Sequence, residues 1–339
     1  MPSVLLALVV LLALMFAMTI GFIDGGGLVS TVITTRALDP LPALLLVAVC
    51  EMVGLFMLGH EVISTLARDV VVLPALKTPG VAVLVPLGAL IGALTWNFVI
   101  WRFALPSSST HALMGALAGS ALTQYGRGSV HWMMFMKIVF FLALVPLLGV
   151  VLSFIFTRGL YWLGAFVTPV TNRGLRSLQI MVMAGTAMVH GSNGGQRAMS
   201  LVFLALIALG GGHSLGKHLT LILTLFSGAA LGIGVIFGSR RTIDTVGNGL
   251  YRVHGLQGLC AGTSTMLLVG ASSIGGYPMS TSHVMSMSVL GAGVAVHPRD
   301  VRWTLVGEIV LAWVLTLPAA ALIAAFWTKI LGIFAHVVS

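Results

Sequence analysis

The sequence predicts an all-α polytopic membrane protein, and three observations support this fold class. Hydrophobic residues make up 58% of the 339-residue chain and charged residues only 7%, against roughly 25% charged residues in soluble domains. Apolar runs follow one another along the chain and leave room for roughly ten to twelve membrane segments of about 20 residues each. The 41 glycines are typical of membrane helices that pack closely or break over a cavity.

Apolar runs mark the candidate membrane segments in order. They lie at about 4–20, 28–35, 41–60, 81–101, 111–123, 132–157, 159–170, 177–190, 198–211, 219–238, 255–271, 284–296 and 303–327. Several runs are too short to cross a bilayer alone, which favours broken helices. The first run lacks a basic flank and a clear cleavage site, so we expect a retained first helix.

Charge and cysteine usage exclude several other classes of protein. The 17 Lys and Arg residues and the net charge of +9 are spread over segment ends, as on membrane loops, so lipid and not nucleic acid is the expected partner. Cys50 and Cys260 lie far apart in apolar stretches, where they form neither a disulfide framework nor a thiolate metal site.

Four polar or glycine-rich interruptions organise the chain, at 21–27, 105–111, 190–197 and 276–283. Two of them are copies, because Pro106 and Pro278, 172 positions apart, each begin a proline, one variable residue, three hydroxyl residues and a histidine. Asp24 and Gly194 have nearly the same offset of 170 positions. The chain therefore divides into two transmembrane repeats, residues 1–171 and 172–339, within one membrane domain.

Matched interruptions in two hydrophobic halves indicate a secondary transporter whose site lies between the repeats. The charge distribution is too even to orient the repeats, so the residues alone leave open whether the second repeat is inverted. The function class follows from the repeated interruptions, and the chemistry of the site follows from the residues inside them.

The duplicated hydroxyl motifs suit the binding of a small oxyanion. Each motif follows a proline and begins a new apolar run, where helix N-termini with free N–H groups are expected. Two such N-termini facing one cavity form a cradle for a tetrahedral anion such as phosphate. A single motif is better explained by helix capping or by hydrogen bonds between packed helices, but the duplicate reverses this preference and favours substrate contact. The candidate contacts are Ser108, Ser109, Thr110, Ser280, Thr281 and Ser282.

The other candidate residues carry charge or amide groups. Asp24 lies between apolar runs, where a carboxylate is expensive to bury and is a candidate for binding a cation or a proton; a water-exposed helix end is the alternative. Arg197 either neutralises substrate, pairs with Asp24 or serves packing. His111 and His283 are expected to orient the hydroxyl loops. Glu51, Glu61 and Glu308 are weaker candidates for a proton relay.

Taken together, the four interruptions resemble the inorganic phosphate transporter (PiT) family of sodium- or proton-coupled permeases. The matching positions are 21–24 with 29–33, 105–111, 190–193 with 195–197, and 278–283, and the resemblance extends to the 312–320 segment. It implies an inverted-repeat helical fold with two re-entrant, hairpin-like Ser/Thr-rich segments that hold phosphate where they meet. Gln196 then joins the six hydroxyl residues in substrate binding, and Asp24 and Asn193 serve the coupling ion.

Two positions depart from the family pattern. The family usually has asparagine at the position of Gly27 and aspartate at the position of Gly194. Each glycine removes an oxygen ligand, and a missing carboxylate leaves a buried sodium ion without its compensating charge. The expected function is therefore phosphate transport coupled to protons or to a single cation, H+ or Na+, with no other cofactor and no metal site. Transport of sulfate or another oxyanion by the same fold is the alternative that these departures permit.

Two other function classes compete with a symporter. An intramembrane enzyme is not expected, because the chain has no His-Glu-x-x-His and no paired membrane aspartates. An uncoupled anion channel or a sensor remains open, since both retain the fold without coupling. A prokaryotic cell membrane is the expected location, and whether the protein is a homodimer stays open.

Overall fold

The computed structural model describes residues 2–73, 79–103, 108–164, 171–210, 216–238, 243 and 245–338. Twelve helices can be described in these ranges: α1 (Pro2–Thr34), α2 (Pro40–Met57), α3 (Glu61–Ser64), α4 (Pro79–Ala82), α5 (Leu84–Arg102), α6 (Ser109–Tyr125), α7 (Trp132–Gly164), α8 (Thr171–Ala208), α9 (Lys217–Phe237), α10 (Gly255–Ile274), α11 (Thr281–Val296) and α12 (Trp303–Val338). Short π-helical turns at Thr65–Asp69 and Thr245–Gly249 and 3-10 turns at Arg127–Ser129 and Pro298–Asp300 complete the helical segments.

Six helices of the described chain, namely α1, α2, α5, α7, α9 and α12, are long and apolar enough to cross a membrane. Large apolar side chains remain exposed on several of them, including Met133 and Trp162 on α7 and Leu322 on α12. Exposed apolar surface of this extent is expected where lipid is the solvent. The prediction of an all-α polytopic membrane protein is confirmed.

Helices α1, α2, α8 and α9 pack against one another, and two helical hairpins lie beside this group. The first hairpin is α5–α6 and packs against α12, whereas the second is α10–α11 and packs on α7 through α11. Almost every described residue of α6 and α11 is buried. One of the two hydroxyl motifs lies between the two helices of each hairpin. Residues 105–107 of the first motif lie outside the described residues.

The two glycine-rich interruptions do not break their helices, contrary to the sequence prediction. Helix α1 is continuous through residues 21–27, and α8 is continuous through residues 190–197. Several short apolar runs therefore merge into long helices: 4–20 and 28–35 form α1, and 177–190 and 198–211 largely form α8. Without competing water, the backbone N–H and C=O groups of a membrane helix keep their bonds within the helix, even at glycine.

Close packing explains the glycines better than helix breaking does. A Cβ atom on Gly21 would overlap the carbonyl group of Leu231 on α9, and one on Gly191 would overlap the backbone of Glu51 on α2. Glycine lets the backbones of two membrane helices approach this closely. The glycine stretches thus bring α1 and α8 into the centre of the helix group, together with the polar residues they carry.

Candidate functional site

The two hydroxyl motifs begin buried helices, as predicted. Ser108 is the N-cap of α6, and its Oγ accepts a hydrogen bond from the His111 N–H at 3.1 Å. Ser280 is the N-cap of α11, and its Oγ accepts from the His283 N–H at 3.4 Å. Capping uses these two hydroxyls and leaves the next residues of each helix free to face other groups.

One further hydroxyl of each motif bonds to the same carboxylate. Ser109 donates from Oγ to Asp24 Oδ2 at 2.6 Å, and Ser282 donates from Oγ to Asp24 Oδ1 at 2.5 Å. Asp24 is only 1% exposed. Each carboxylate oxygen is therefore held by a different hairpin, and the side chain of α1 lies between the two helix N-termini.

A fully buried guanidinium completes this cluster. The Nη1 atom of Arg197 donates to Ser109 Oγ at 2.9 Å and to Thr110 Oγ1, and its Nε donates to the Asn193 carbonyl at 3.3 Å. Its Nη2 atom lies 3.7 Å from Asp24 Oδ2. Of the predicted roles of Arg197, pairing with Asp24 is the one that the structure displays. The charges of the two side chains offset each other in a site without water-exposed surface.

Thr110 links the two hairpins directly. Its Oγ1 donates to the Met279 carbonyl, in the second hydroxyl motif, at 3.0 Å and accepts from Arg197. Thr281, which matches Ser109 at the offset of 172 positions, is 1% exposed, and its Oγ1 has no hydrogen-bond partner among the described residues. The cluster therefore contains both used and unused hydroxyl groups.

The histidines that end the two motifs meet each other. The ring centroids of His111 and His283 lie 4.8 Å apart, and His283 stacks on Trp313 of α12 with centroids 3.7 Å apart. His111 Nδ1 contacts Ser108 Oγ at 2.9 Å. These contacts place the two rings beside each other and His111 beside the capping Ser108; the orienting role of both histidines stays a prediction.

A second acidic residue enters the site through a histidine. His190 Nδ1 lies 2.6 Å from Glu51 Oε1 on α2, and His190 Nε2 lies 3.8 Å from Asp24 Oδ2. All three side chains are buried. From the sequence, Glu51 is predicted only as one of three weaker relay candidates with Glu61 and Glu308. Its position inside an apolar run is shared by Glu308, and nothing in the sequence pairs Glu51 with His190.

Similarity to known proteins agrees with this geometry. The model of the phosphate transporter family matches residues 20–173 and 165–324, which together cover most of the chain. The chain belongs to the phosphate transporter family. It is 33% identical over 95% of both chains to a protein of Rhizobium meliloti (strain 1021) named "Probable low-affinity inorganic phosphate transporter". A protein of the same name from Bacillus subtilis (strain 168) is also 33% identical, over 95% of this chain and 96% of its own length.

A solved structure shares the fold. This chain superposes on "The sodium-dependent phosphate transporter" with a TM-score of 0.85, covering 97% of this chain and 99% of the other at 22% identity. The family and its relatives are transporters and not enzymes. This family member is therefore a multi-pass membrane transporter, and the residues around Asp24 are its candidate transport site.

Two residues that the resemblance assigns to the family site are used elsewhere in this structure. Asn193 accepts from the Met279 N–H at 2.9 Å and donates to the Tyr277 carbonyl at 3.1 Å, so its amide holds the second hydroxyl motif in place. Gln196 accepts from the Val62 N–H at 2.9 Å and donates to Ser192 Oγ at 2.8 Å. Substrate binding by Gln196 and ion coupling by Asn193 stay predictions that require these bonds to rearrange.

The two glycines that depart from the family pattern lie in different surroundings. A Cβ on Gly27 would meet no described atom within 4 Å. A Cβ on Gly194 would lie 3.4 Å from Arg197 Nη2 and slightly closer to Ile20 and Leu231. A carboxylate at position 194 would therefore pair with Arg197. With glycine at this position, Arg197 pairs with Asp24 instead.

No group of three or more His, Cys, Asp and Glu residues suited to a metal ion is found within the described part of the chain. The candidate acceptor for a coupling proton or monovalent cation is the Asp24 carboxylate, since two hydroxyl oxygens already surround it. Serine hydroxyls and carboxylates are oxygen ligands, the kind that hard cations prefer.

Proposed function

We propose that this protein is a secondary active transporter that carries inorganic phosphate and couples its movement to protons or to a single cation. The observation that carries the proposal is the meeting of two matched helix N-termini at one buried Asp24–Arg197 pair. Family membership and the phosphate transport named for the relatives support phosphate as the substrate.

The proposed anion contacts have the right chemistry for an oxyanion. Hydroxyl groups, helix N-termini and a guanidinium all direct hydrogen-bond donors at the same point. A guanidinium is planar and binds two oxygens of a phosphate group at once. Ser109, Ser282 and Arg197 are thus the contacts that we assign first, with Thr281 as an unused donor nearby.

Coupling is assigned to Asp24. Its carboxylate touches both hairpins, so a proton or cation bound there changes the contacts that hold the hairpins together. Moving a charge in a buried site alters the energy of every other charge there much more than it does in water. A site that senses both substrate and coupling ion is what a symporter needs in order to link their movements.

We also propose the two-repeat organisation, with residues 1–171 and 172–339 inverted relative to each other. Helix packing supports it, because the hairpin α5–α6 of the first half packs on α12 of the second, and α11 of the second packs on α7 of the first. This reciprocal exchange suits alternating access, in which one part of each repeat moves against the other around a central site.

Uptake into proteoliposomes tests the proposal. Purified protein is reconstituted, and uptake of labelled phosphate and, in parallel, sulfate is measured with and without imposed proton or sodium gradients. We expect phosphate to accumulate with one of the gradients and Asp24→Asn to abolish accumulation. Asp39→Asn, at the exposed start of α2, is the matched control and should retain accumulation.

The alternative functions give other results in the same assay. Uptake of sulfate alone would retain the site and change the substrate. Phosphate flux that follows the membrane potential without any cation gradient would indicate an uncoupled channel. The absence of flux for both anions would contradict transport of these oxyanions and favour a sensor.

A further inference from the structure

The Asp24 carboxylate occupies the donors that an oxyanion requires. It accepts from Ser109 of the first hairpin and Ser282 of the second, and it lies against the guanidinium of Arg197. A carboxylate is itself an oxyanion, with two oxygens that accept the same hydrogen bonds as phosphate oxygens. The side chain therefore fills, from within the protein, the position that a bound substrate would fill.

We propose that Asp24 is an internal competing anion: it holds the two hairpins together in the empty transporter, and the substrate oxyanion displaces it from Ser109, Ser282 and Arg197. Arg197 is then the specificity-determining cation, tethered in the site and shared by the two competing anions. The inference rests on the proposed function and adds the order of events within it.

Charge balance links this exchange to a proton. A bound phosphate beside an ionised Asp24 would place two negative groups against one guanidinium in a buried site, and like charges in such a site are strongly unfavourable. A proton on Asp24 removes that conflict, weakens its hold on the serines, and leaves Arg197 to balance one negative charge. The preferred substrate is therefore the singly charged phosphate ion, bound together with one proton.

Unused polar atoms in the two motifs and beside Asp24 have capacity for this exchange. Arg197 Nη2, Thr281 Oγ1 and His190 Nε2 are buried and have no hydrogen-bond partner among the described residues. A phosphate group has more acceptor oxygens than a carboxylate, so it can use the Arg197 and Thr281 donors that Asp24 leaves unused, and His190 Nε2 when that ring carries a proton on both nitrogens. Such unpaired buried donors are costly in a structure unless something binds them.

The titratable and charged groups around Asp24 come from several helices. Helix α8 brings Arg197 and His190, α2 brings Glu51 behind His190, and the hairpins bring His111 and His283 behind their serines. The described parts of α5 and α9 carry charged or titratable side chains only in their terminal turns. The pH dependence of binding therefore reflects the cluster of Asp24, His190 and Glu51.

Equilibrium binding of inorganic phosphate to the purified protein tests the proposal. We expect Asp24→Asn, which removes the competing charge and keeps the shape, to bind phosphate about tenfold more tightly than the wild type at neutral pH. Arg197→Gln should weaken binding by about tenfold or more. Thr186→Val, elsewhere on α8, is the control, and thermal unfolding shows whether each variant is folded.

Sulfate supplies a probe that does not depend on the variants. Sulfate stays fully ionised near neutral pH, so any effect of pH on its binding comes from the protein. The wild type should bind sulfate more tightly as the pH falls, because protonation displaces Asp24 from the donors. Binding that is independent of pH, or that weakens on acidification, would overturn the proposal even if Asp24→Asn does not fold.

Transport assays separate this inference from the proposed function. In Asp24→Asn we expect exchange of internal for external phosphate to persist while net accumulation is lost, since the empty carrier lacks its internal anion. Wild-type accumulation together with weaker or unchanged phosphate binding in Asp24→Asn would overturn the internal competitor and leave phosphate transport standing. If neither protein binds or moves phosphate, both proposals fail.

Discussion

His111 and His283, 172 positions apart in the chain, lie with their ring centroids 4.8 Å from each other. The two residues end the duplicated hydroxyl motifs, so the hairpin tips face each other across the site. Neither ring nitrogen of His283 has a hydrogen-bond partner among the described residues, and its ring stacks on Trp313. The His283 ring therefore serves as a packing surface between His111 of the first hairpin and Trp313 of α12.

Replacing His283 with phenylalanine tests this packing role. Because the ring shape is largely kept and no hydrogen bond is lost, we expect His283→Phe to bind phosphate within about threefold of the wild type. Scintillation-based binding of labelled phosphate measures this, and His283→Ala, which removes the stacking surface, should be less stable to heat. A folded His283→Phe protein without phosphate binding would make His283 a direct ligand.

Thr110→Val should loosen the contact between the hairpins. The valine removes the bond to the Met279 carbonyl and one acceptor of Arg197, leaving buried polar atoms unpaired at a cost of about 1–3 kcal/mol. Thermal unfolding in detergent measures the loss. Thr123→Val on the same helix removes only a bond to the Gly119 carbonyl within α6 and serves as the control. Equal thermal stabilities of both variants would show that the hydrogen bond from Thr110 to Met279 does not stabilise the fold.

Glu51→Gln should impair coupling more than exchange. The glutamine keeps the shape beside His190 but removes the negative charge that balances a proton on that ring, 2.6 Å away. We expect proton-driven phosphate accumulation to fall by about tenfold or more, with phosphate exchange retained. Glu61→Gln, at an exposed position, should change neither rate. Unaltered phosphate accumulation in Glu51→Gln would show that the Glu51–His190 pair has a structural role only.

Gly191→Ala should destabilise the packing of α8 on α2. The added Cβ overlaps the backbone of Glu51, and overpacking of this kind costs about 1–3 kcal/mol or more. Gly159→Ala on α7 adds a methyl group where no described atom lies within 4 Å, so the better helix propensity should leave stability unchanged or raise it by about 0.5–1 kcal/mol. Thermal unfolding of both proteins decides the comparison.

Adding back the two missing side chains should increase the effect of sodium. In the double variant Gly27→Asn, Gly194→Asp, the new carboxylate pairs with Arg197 and the new amide oxygen enters open space beside α1. Both groups are oxygen ligands for a hard cation. We expect sodium to stimulate phosphate uptake by this variant more than by the wild type, and the double alanine variant to behave as the wild type. Equal stimulation of all three proteins by sodium would contradict the idea that Gly27 and Gly194 weaken the effect of sodium.

The membrane class, the hydroxyl motifs and their pairing were determined by the sequence itself. Composition decides the solvent of the fold, since so few charged residues cannot cover a soluble protein. A serine at the start of each new apolar run caps the helix through local bonds, so the starts of α6 and α11 are properties of short segments. Duplication of a motif at a fixed offset is equally visible without any structure.

Only the tertiary structure decided how the remaining residues are used. Gly21 of α1 and Gly191 of α8 lie where a neighbouring helix approaches closely, and the local sequence carries no record of that neighbour. The side chains of Asn193 and Gln196 accept hydrogen bonds from the N–H groups of Met279 and Val62, which are more than 80 positions away. Asp24 meets Ser282 across 258 positions, and Glu51 meets His190 in the same way. Such pairs depend on which helices lie side by side, and that is settled by packing of the whole chain.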